Sequence, residues 1–427
     1  MRKLLLSLFA VLALAVQAQT TMHIHTKDGV LKVGVSEIDS IFFVNEKKGT
    51  PENPYTVAEL LKACEGLEAN AFLNDGAEVC ARGVVKRVKE FNTQYGNITY
   101  YISDALQSDE SFYVYRGYLL NRGRVSTGEE LQMGDTVVVC GKVKYYQGKT
   151  LEFDSGNYQL EHRVKLPSEE EKNAHLRLEF PMSKEGDNNR LVVHMAKLND
   201  VTGEWGVNYS TEWDKNIRAQ RWSCYQMYAS LLQKNASRYS GGYPNDYFLP
   251  FDCQFEKDPY VSSGYDHGHI CPSADRQGST ESNVQTFFMS NMQPQAHAFN
   301  AGLWGKMEDQ VRAWVSKFDT LYVCKGGTID RADQISTYVG GEGNQIPVPK
   351  YFFVAVLGKN DSGYTAIGLW AEHRTDYGSN AKVGDYVVNI RELEQLTGID
   401  FFHNLPDEVE ESVETLPVSN LINVWGL

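Results

Sequence analysis

The chain has 427 residues, which is long enough for two or three domains that each bury a hydrophobic core. Its composition, 42% hydrophobic and 22% charged, is that of a soluble globular protein. The formal net charge of −14 excludes attraction of a phosphate-rich ligand by the charge of the whole molecule. Such a ligand would need a local basic groove or a metal ion.

Residues 1–18 have the pattern of a secretory signal peptide. Arg2 and Lys3 precede an apolar run over 4–16, and small residues follow up to Ala18. We expect cleavage before Gln19 and export to the periplasm or the exterior, because the run is too short for a comfortable membrane span. No cysteine lies at the expected cleavage site, which disfavours a lipoprotein anchor. No later stretch of the sequence predicts a transmembrane helix.

Residues 19–46 predict a short β unit, with alternating stretches at 22–25 and 38–44 and a turn at 27–29. His23 and His25 would share one face of a strand there. Two histidines without a third ligand are weak evidence for a metal, so we favour solvent-facing side chains.

The seven cysteines lie far apart and form no Cys-x-x-Cys pair, which disfavours a structural zinc site. Export permits disulfides, but the odd number leaves at least one thiol unpaired. Cys80 and Cys140 lie in apolar, strand-like runs, and we interpret both as small buried hydrophobic residues.

Residues 51–162 predict a small β-barrel domain. Thr56 caps a helix over 57–64, with Glu59 at the capping-box position. Five strands are predicted at 79–88, 98–103, 111–115, 135–145 and 150–153. Gly83, Gly134 and Gly141 fall where a small barrel needs bends, and the pattern resembles an OB-fold, a partly open barrel that often binds oligonucleotides.

Tyrosines and basic residues share this predicted barrel. Alternation places Tyr101 on one strand face, opposite Ile98, Tyr100 and Ile102, and places Tyr113 and Tyr115 together on the next strand. Such tyrosines could stack bases while nearby cations pair with phosphates. The cations are Arg82, Lys86, Arg87 and Lys89. Aromatic residues are also ordinary strand residues, so a spacer or docking role is the alternative.

Residues 163–173 read as a charged linker, and residues 174–427 as an α+β domain. Strands are predicted at 176–180, 191–196, 320–323, 351–356 and 365–370. Helices are predicted at 221–233, 300–315 and 388–397.

The stretch 264–276 concentrates titratable side chains, which is rare in a purely structural segment. His267 and His269 would share a strand face, and Gly268 between them would let a backbone or phosphate approach closely. A histidine with a pKa of about 6.5 can accept a proton from water near neutrality, so His269 is a candidate base. The alternatives are a hydrogen-bonded, partly buried histidine, or joint binding of a transition metal by both histidines.

The predicted helix from Asn300 carries an apolar stripe at helical spacing: Leu303, Trp304, Met307, Val311 and Trp314. Asn300 and Glu308 lie eight positions apart, which places them roughly 80° apart around an ideal helix. They would therefore present two oxygen donors to one region, as Mg²⁺ prefers. The alternative for Glu308 is a solvated surface charge.

Three motifs together resemble the DNA/RNA non-specific endonuclease family of the ββα-metal superfamily. They span 266–269, 286–295 and 299–308, and family-like segments recur at 221–225, 346–349 and 396–402. The resemblance covers roughly 174–413. It implies an α+β, ββα-metal nuclease domain behind the OB-like domain.

The resemblance also implies a role for each matching residue. His269 would be the general base, Asn300 the direct Mg²⁺ ligand and Glu308 the partner of a metal-bound water, with Mn²⁺ as a possible substitute. Asn291 would help to orient the site. For Asp266, our own interpretation of the stretch is that it orients or braces the turn. The implied activity is hydrolysis of DNA and RNA without strong sequence specificity, leaving 5′-phosphates.

One position departs from the family pattern, because His267 stands where the family has arginine. Histidine is mostly neutral above a pH of about 6.5 and cannot grip a phosphate with two bonds. We expect weaker substrate binding unless Arg276, Arg221 or Arg218 supplies the charge. The alternative function is therefore a nucleic-acid-binding or surface-attachment protein with a weakened or inactive nuclease domain.

Overall fold

The computed structural model describes residues 21–26, 29–34, 47–126, 130–165, 168–184, 186, 188–249, 253–341, 343–378 and 380–427. The signal-peptide prediction lies outside these ranges. Within them, no helix combines the length and the apolar character that crossing a membrane requires.

Two strands form the first hairpin, β1 (Thr21–Thr26) and β2 (Gly29–Gly34), which pair antiparallel. The predicted strand at 22–25 therefore pairs with Gly29–Gly34, which directly follow the predicted turn. The second predicted stretch, 38–44, lies outside the described residues, as do the side chains of His23 and His25.

The N-terminal domain begins with the predicted capping box. The Thr56 hydroxyl accepts a hydrogen bond from the Glu59 amide at 3.1 Å, and the Glu59 carboxylate accepts one from the Thr56 amide at 2.9 Å. Helix α1 (Val57–Ala63) follows and buries Val57 and Leu60 against the sheet. Sequence and structure agree on this helix start because the capping contacts are local.

Seven strands follow in this domain: β3 (Val79–Asn92), β4 (Asn97–Ser103), β5 (Phe112–Gly117), β6 (Thr136–Gly141), β7 (Val143–Tyr146), β8 (Thr150–Phe153) and β9 (Tyr158–Arg163). They pair in the order β7-β8-β5-β4-β3-β6-β9. Only β5 and β8 run parallel among these pairs. The single residue Lys142 separates β6 from β7 in the sequence. The assignment to the OB-fold stays a prediction.

A disulfide joins Cys80 of β3 to Cys140 of β6, which are partners in the strand register. The interpretation of both as simple buried hydrophobic residues was therefore incomplete, although they are only 3% and 1% exposed. This disulfide was not predicted from the sequence, because the two cysteines lie sixty positions apart in the chain. Buried free cysteines elsewhere, such as Cys271, confirm that at least one thiol is unpaired.

The predicted linker has regular structure. Strand β9 extends to Arg163, and a second capping box at Ser168 starts α2 (Glu169–Asn173). The predicted strand at 176–180 is wrong, because a 3₁₀ turn (Ala174–Leu176) leads into irregular chain.

The C-terminal domain contains eleven of the described strands: β10 (Asn189–Lys197), β11 (Trp205–Asp214), β12 (Ala219–Met227), β13 (Asp266–His269), β14 (Met292–Gln295), β15 (Thr320–Gly327), β16 (Ile335–Val339), β17 (Ile346–Pro349), β18 (Tyr351–Asn360), β19 (Gly363–Glu372) and β20 (Val387–Val388). An antiparallel sheet has the order β10-β11-β12-β15-β18-β19-β20. The pairs β13-β14 and β16-β17 stand apart from it. The predicted helix at 221–233 is wrong, because β12 is buried on both faces and so lacks strand alternation.

The helices of this domain are α3 (Thr280–Gln285), a π-helical turn (Phe299–Trp304), α4 (Gly305–Trp314), α5 (Ile390–Thr397), α6 (Asp407–Glu414) and α7 (Val418–Trp425). Further 3₁₀ turns of the chain span Leu73–Gly76, Leu120–Arg122, Ala229–Leu232, Ser273–Asp275, Met289–Asn291, Val315–Lys317, Ala332–Gln334 and Val383–Tyr386.

The central sheet is covered by helices on both faces, and alternation along β18 shows how. Phe352, Val354 and Val356 pack into the core that includes the apolar stripe of α4. The intervening Phe353, Ala355 and Leu357 pack into a second core with residues of α5 and α6. Successive strand residues point to opposite faces, so a strand covered on both sides is apolar throughout. The predicted α+β class is confirmed for this domain.

Side-chain contacts hold the β13-β14 pair against the sheet. The Gln293 amide of β14 donates to the carbonyl of Gln220 at 3.0 Å and accepts from the amide of Gly327 at 2.6 Å. The Trp304 indole in turn donates to the carbonyl of His269 at 3.3 Å. These bonds fix β13 beside the start of α4.

Candidate active site

A cavity of about 410 Å³ opens where β13 meets the π-helical turn. It is lined by Arg238, Tyr243, Tyr265, Asp266, His267, His269, Pro272, Ser273, Ala274, His297, Asn300 and Glu308. Five residues named from the sequence meet here, from β13, the π-helical turn and α4: Asp266, His267, His269, Asn300 and Glu308.

His269 offers a free nitrogen lone pair in this cavity. Its Nε2 is buried and has no hydrogen-bond partner among the described residues. The main chain of His267 favours the protonated ring and so opposes the effect of burial on the pKa of His269. When Nδ1 carries the proton, Nε2 is the acceptor, as a base requires. The ring also packs edge-on against Phe287, with ring centroids 4.7 Å apart.

Burial lowers the pKa of His269 to about 3, and the positive charge of Arg238 acts in the same direction. An unpaired imidazolium at this position would be poorly solvated. The ring is therefore neutral throughout the physiological range.

Asp266 links β13 to the π-helical turn. Its Oδ2 accepts hydrogen bonds from the Asn300 amide and from His297 Nδ1, both at 2.9 Å. Asp266 therefore ties the strand to the turn, and its bracing role stays a prediction. Because the Asn300 nitrogen is held by Asp266, its carbonyl oxygen is the donor atom left for a cation.

Glu308 is part of a buried ion pair and is not a solvated surface charge. Its Oε1 lies 3.0 Å from Lys325 Nζ, and the two side chains are 16% and 1% exposed. The ammonium also lies over the Trp304 ring, 4.4 Å from the centroid. Burial raises the pKa of Glu308, although Lys325 opposes the shift.

The predicted continuous helix from Asn300 is not continuous. Residues Phe299–Trp304 form a π-helical turn, and regular α-helix begins at Gly305. Such π segments are frequent at functional sites because they redirect side chains. The angle estimated from an ideal helix therefore does not apply, yet Asn300 and Glu308 both face the cavity.

Comparison with known proteins agrees with this arrangement. The sequence profile of the DNA/RNA non-specific endonuclease family matches residues 199–408. A nuclease from Nostoc sp. is 31% identical over 214 residues, which are 48% of this chain and 75% of that protein. The chain belongs to the DNA/RNA non-specific endonuclease family. Membership places it among the endonucleases, which are hydrolases.

More distant relatives of this endonuclease were also found. The human mitochondrial nuclease EXOG is 26% identical over 208 residues, 47% of this chain and 56% of that protein. The chain thus spans little more than half of that relative. A crystal structure of the EndoG/EndoGI complex matches 46% of this chain and 84% of the solved chain, with 22% identity and a TM-score of 0.43.

Asn291 lies beneath the cavity in this endonuclease and does not line it. Its fully buried amide donates to the carbonyls of Cys271 at 2.8 Å and Thr286 at 2.7 Å, and its oxygen accepts from the Cys271 amide at 2.8 Å. Asn291 therefore fixes the chain that leaves β13. An orienting role for it remains the proposal.

His267, which replaces the family arginine, is held between two tyrosine rings. The imidazole stacks on Tyr243 at 3.6 Å and on Tyr260 at 4.0 Å, and its Nε2 bonds Asp258 at 2.9 Å. Burial lowers the pKa of His267 even though Asp258 opposes the shift. The His267 ring is therefore neutral and its Nε2 is bonded to Asp258. A neutral ring beside a carboxylate does not favour contact with a phosphate.

We expect His267→Arg to change cleavage by less than about fivefold. The new guanidinium would be drawn to Asp258 and stacked by the tyrosines, so little of its charge would reach a phosphate. Steady-state kinetics on single-stranded DNA would measure this, with Asp258→Asn in the same background as the companion variant. A gain of more than about tenfold in His267→Arg alone would show that the missing arginine limits phosphate binding.

Gly268 is required by a neighbouring side chain. A β carbon at this position would lie 2.3 Å from Cδ of Gln295, on the paired strand β14. Real β carbons do not approach this closely, so any larger residue would displace Gln295. The close approach predicted at Gly268 exists, but its partner is Gln295 and not a ligand.

The structure does not bring Arg276, Arg221 or Arg218 to the cavity. Arg276 is buried and donates to the carbonyls of Asn208, Asp275 and Gln226 at 2.9 to 3.0 Å.

Arg221 is likewise buried. It forms ion pairs with Glu212 and with Asp330. Arg218 lies over the Phe255 ring. None of the three arginines lines the cavity, so their positions give no support to the expectation that one of them replaces the missing charge.

Arg238, like Tyr243 and His297, is a cavity residue that sequence reasoning missed. Its exposed guanidinium lies over the Phe287 ring at 4.9 Å, and its charge acts on His269. No motif surrounds it, apart from the Gly241-Gly242 pair that marks a turn before Tyr243. A basic residue shortly before a glycine pair is too common a pattern to identify a site.

A buried hydrogen bond anchors the segment that carries Arg238. The Asp246 carboxylate bonds His194 Nε2 at 2.7 Å, with the two side chains 1% and 0% exposed, and it also accepts from the Ser290 hydroxyl. The Met289 amide donates to the carbonyl of Pro244 at 2.9 Å. These contacts join the segment to β10 and to the turn before β14.

One compact carboxylate cluster lies outside the cavity. Glu394, Asp400 and Glu414 bring ligand-type atoms within 4.8 Å of one another. Burial raises the pKa of Glu394 to about 7 and that of Glu414 to about 8. Arg391 pairs with Glu414 at 2.8 Å, so the cluster already has a cation.

Proposed function

We propose that this chain is an exported, metal-dependent endonuclease that hydrolyses phosphodiester bonds of DNA and RNA without strong sequence specificity and leaves 5′-phosphate ends. The observation that carries the proposal is the unpaired, buried Nε2 of His269 in one cavity with Asn300 and Glu308. A neutral base beside oxygen donors suits attack by water on a phosphodiester. Family membership and the nuclease relatives support the same reaction.

His269 would take a proton from the attacking water through Nε2. The His269 ring lines the cavity and packs edge-on against Phe287, and its Nε2 has no hydrogen-bond partner among the described residues. Arg238, exposed at the cavity rim, would meet the negative phosphate and so replace the charge that His267 does not provide. Phosphate contacts of this kind carry no base identity, which fits a broad substrate range.

The donor set of the cavity fits a hard divalent cation such as Mg²⁺. The Asn300 carbonyl oxygen would bind it directly, and Glu308 would hold a bound water. Mn²⁺ prefers similar oxygen ligands and would substitute. When bound, the cation supplies Lewis acidity at the phosphate and stabilises the leaving oxygen. Lys325 keeps Glu308 in place within the apolar surroundings.

The alternative is a nucleic-acid-binding or surface-attachment protein whose nuclease domain is inactive. This alternative rests on the presence of His267 where the family has arginine. The stacked position of His267 weakens this alternative, because the residue has a packing role and Arg238 supplies a cation to the same cavity.

We propose export on the pattern of residues 1–18. The Cys80–Cys140 disulfide supports it, since disulfides persist mainly in oxidising compartments outside the cytosol.

The test is a cleavage assay with plasmid DNA and with RNA across pH 5 to 9. We expect both substrates to be degraded with Mg²⁺ or Mn²⁺, and not with chelator, and the DNA products to be joined by DNA ligase without prior phosphorylation. A histidine with a pKa of about 6.5 would be roughly nine-tenths protonated at about pH 5.5. Because the pKa of His269 is lowered, the base stays deprotonated there and activity should persist.

Protonation of Glu308, whose pKa is raised, should instead set the acid limb of the profile. The residual activity of Glu308→Gln should therefore no longer fall as the pH is lowered. Binding of nucleic acid without cleavage under every metal and pH condition would instead establish the alternative function.

A further inference from the structure

We propose that the N-terminal domain carries a second binding site, for single-stranded nucleic acid, separate from the catalytic cavity. It consists of Arg87, Tyr101, Tyr113 and Tyr115, which we term the tyrosine row. The inference rests on the proposed function in one respect, since it takes nucleic acid to be the substrate of the neighbouring domain.

The strand register places these residues side by side. Arg87 of β3 is the register partner of Tyr101 on β4, and Tyr101 is the partner of Tyr113 on β5. The rings of Tyr101 and Tyr113 lie 4.8 Å apart, and those of Tyr113 and Tyr115 lie 6.1 Å apart. The row therefore runs across three strands on one face of the sheet.

The outer rings of the row are accessible. Tyr113 is 8% exposed and supports its neighbours from the middle, whereas Tyr101 and Tyr115 are both partly exposed. Exposed aromatic rings on a sheet give unpaired bases a surface on which to stack. The bases of a duplex are already stacked on one another, so the row suits a single strand.

A cation lies over each ring. Arg87 is 4.2 Å from the Tyr101 centroid, Lys89 is 4.9 Å from that of Tyr113, and Arg116 is 5.0 Å from that of Tyr115. All three are exposed residues, and none forms an ion pair with a carboxylate in the part of the chain that the structure describes.

Arg87 and Arg116 are available to meet phosphates while the rings meet bases, whereas Lys89 donates a hydrogen bond to the Tyr113 hydroxyl at 3.0 Å. A guanidinium over a tyrosine can also stack a base on its own outer face. In a chain with a net charge of −14, such a strip is the local basic surface that a nucleic acid would need.

The row continues towards the catalytic domain. Arg87 and Tyr101 line a groove of about 630 Å³ together with Tyr247 and with Thr280 of α3, and this groove lies between the two domains. An ion pair between Lys197 and Asp109, at 3.0 Å, joins the domains beside it.

Helix α3 separates this groove from the catalytic cavity. On its other side, the Asn283 side chain accepts a hydrogen bond from the Tyr239 amide at 2.8 Å, next to Arg238 of the cavity. A single strand held on the tyrosine row would therefore lie one short helix away from the active site.

The test uses the full-length chain with His269→Ala, so that the probe is not cut. Fluorescence anisotropy without divalent cations would measure binding of a fluorescein-labelled oligothymidine of about 20 nucleotides, longer than the roughly 4 to 16 that one such domain covers. Arg87→Glu and Tyr101→Leu should each weaken binding by about fivefold or more. The control Arg163→Glu, at a side chain 75% exposed on β9, changes the net charge equally and should have an effect below about twofold.

With His269 restored, Arg87→Glu should slow cleavage of long single strands and leave the rate on bis-(p-nitrophenyl) phosphate unchanged, because that diester reaches only the catalytic cavity. Unaltered binding in Arg87→Glu and Tyr101→Leu, an equal loss in Arg163→Glu, or equal affinity for a blunt duplex would each overturn the inference. Loss of binding in Arg87→Glu from a chain that cleaves no substrate would retain the tyrosine row and reject the proposed function.

Discussion

His269→Ala is expected to lower phosphodiester cleavage by about 10²- to 10⁴-fold, the usual contribution of a positioned general base. The lone pair on Nε2 would vanish, and Arg238 and the oxygen donors would remain in place. Because the base acts on water and does not bind substrate, the loss should appear in kcat and leave KM nearly unchanged. Single-turnover cleavage of labelled single-stranded DNA would measure it.

The matched control is His175→Ala, at an exposed histidine in a 3₁₀ turn of the same domain, which should retain full activity. Thermal unfolding of both variants would separate lost chemistry from lost structure. Retention of more than about a tenth of the activity in a folded His269→Ala protein would reject the assigned base.

Asn300→Ala is expected to have the second large effect, by weakening the proposed cation site. The substitution removes the carbonyl oxygen that would bind the metal, and it also leaves Asp266 without one of its two hydrogen-bond donors. We expect the Mg²⁺ concentration for half-maximal activity to rise by roughly ten- to a hundredfold or more. Activity should recover in part at high Mg²⁺, which a loss of the base would not permit.

Gln310→Ala, in the same helix α4, is the control for helix stability and should shift the Mg²⁺ requirement by less than about twofold. Isothermal titration with Mn²⁺ would give the affinity without reference to activity. An unchanged metal dependence in Asn300→Ala would place the cation elsewhere in the cavity.

Five residues that line the cavity were predicted from the sequence, because the motifs that contain them are local, and their catalytic roles stay predictions. The segment at 266–269 forms a strand and the segment after Asn300 forms a helix, and the spacing within each places its polar side chains together. The long-range step, bringing the two elements to one cavity, came from the family resemblance and not from the pattern itself. The π-helical turn was not predictable, since its residues fit an α-helical period equally well.

The arginines show where such prediction fails. A guanidinium in the sequence has the same formal charge whether it is buried or exposed, so Arg276 and Arg221 were considered for phosphate binding although both are held in the core. Arg238 was overlooked for the opposite reason, because only the folded chain brings it to His269. The strand at β12 was read as a helix, because burial on both faces removed the alternation that identifies strands.

The buried guanidinium of Arg276 makes the catalytic site dependent on complete folding. It bonds carbonyls of Asn208 in β11 and Gln226 in β12, about seventy and fifty positions earlier in the chain, so the segment that follows His269 is fixed only once those strands have paired. Contacts between such distant segments form late, after the entropy of closing long loops has been overcome. In a chain that is still unfolded, the side chains of the proposed active site are therefore present but not yet assembled into one cavity.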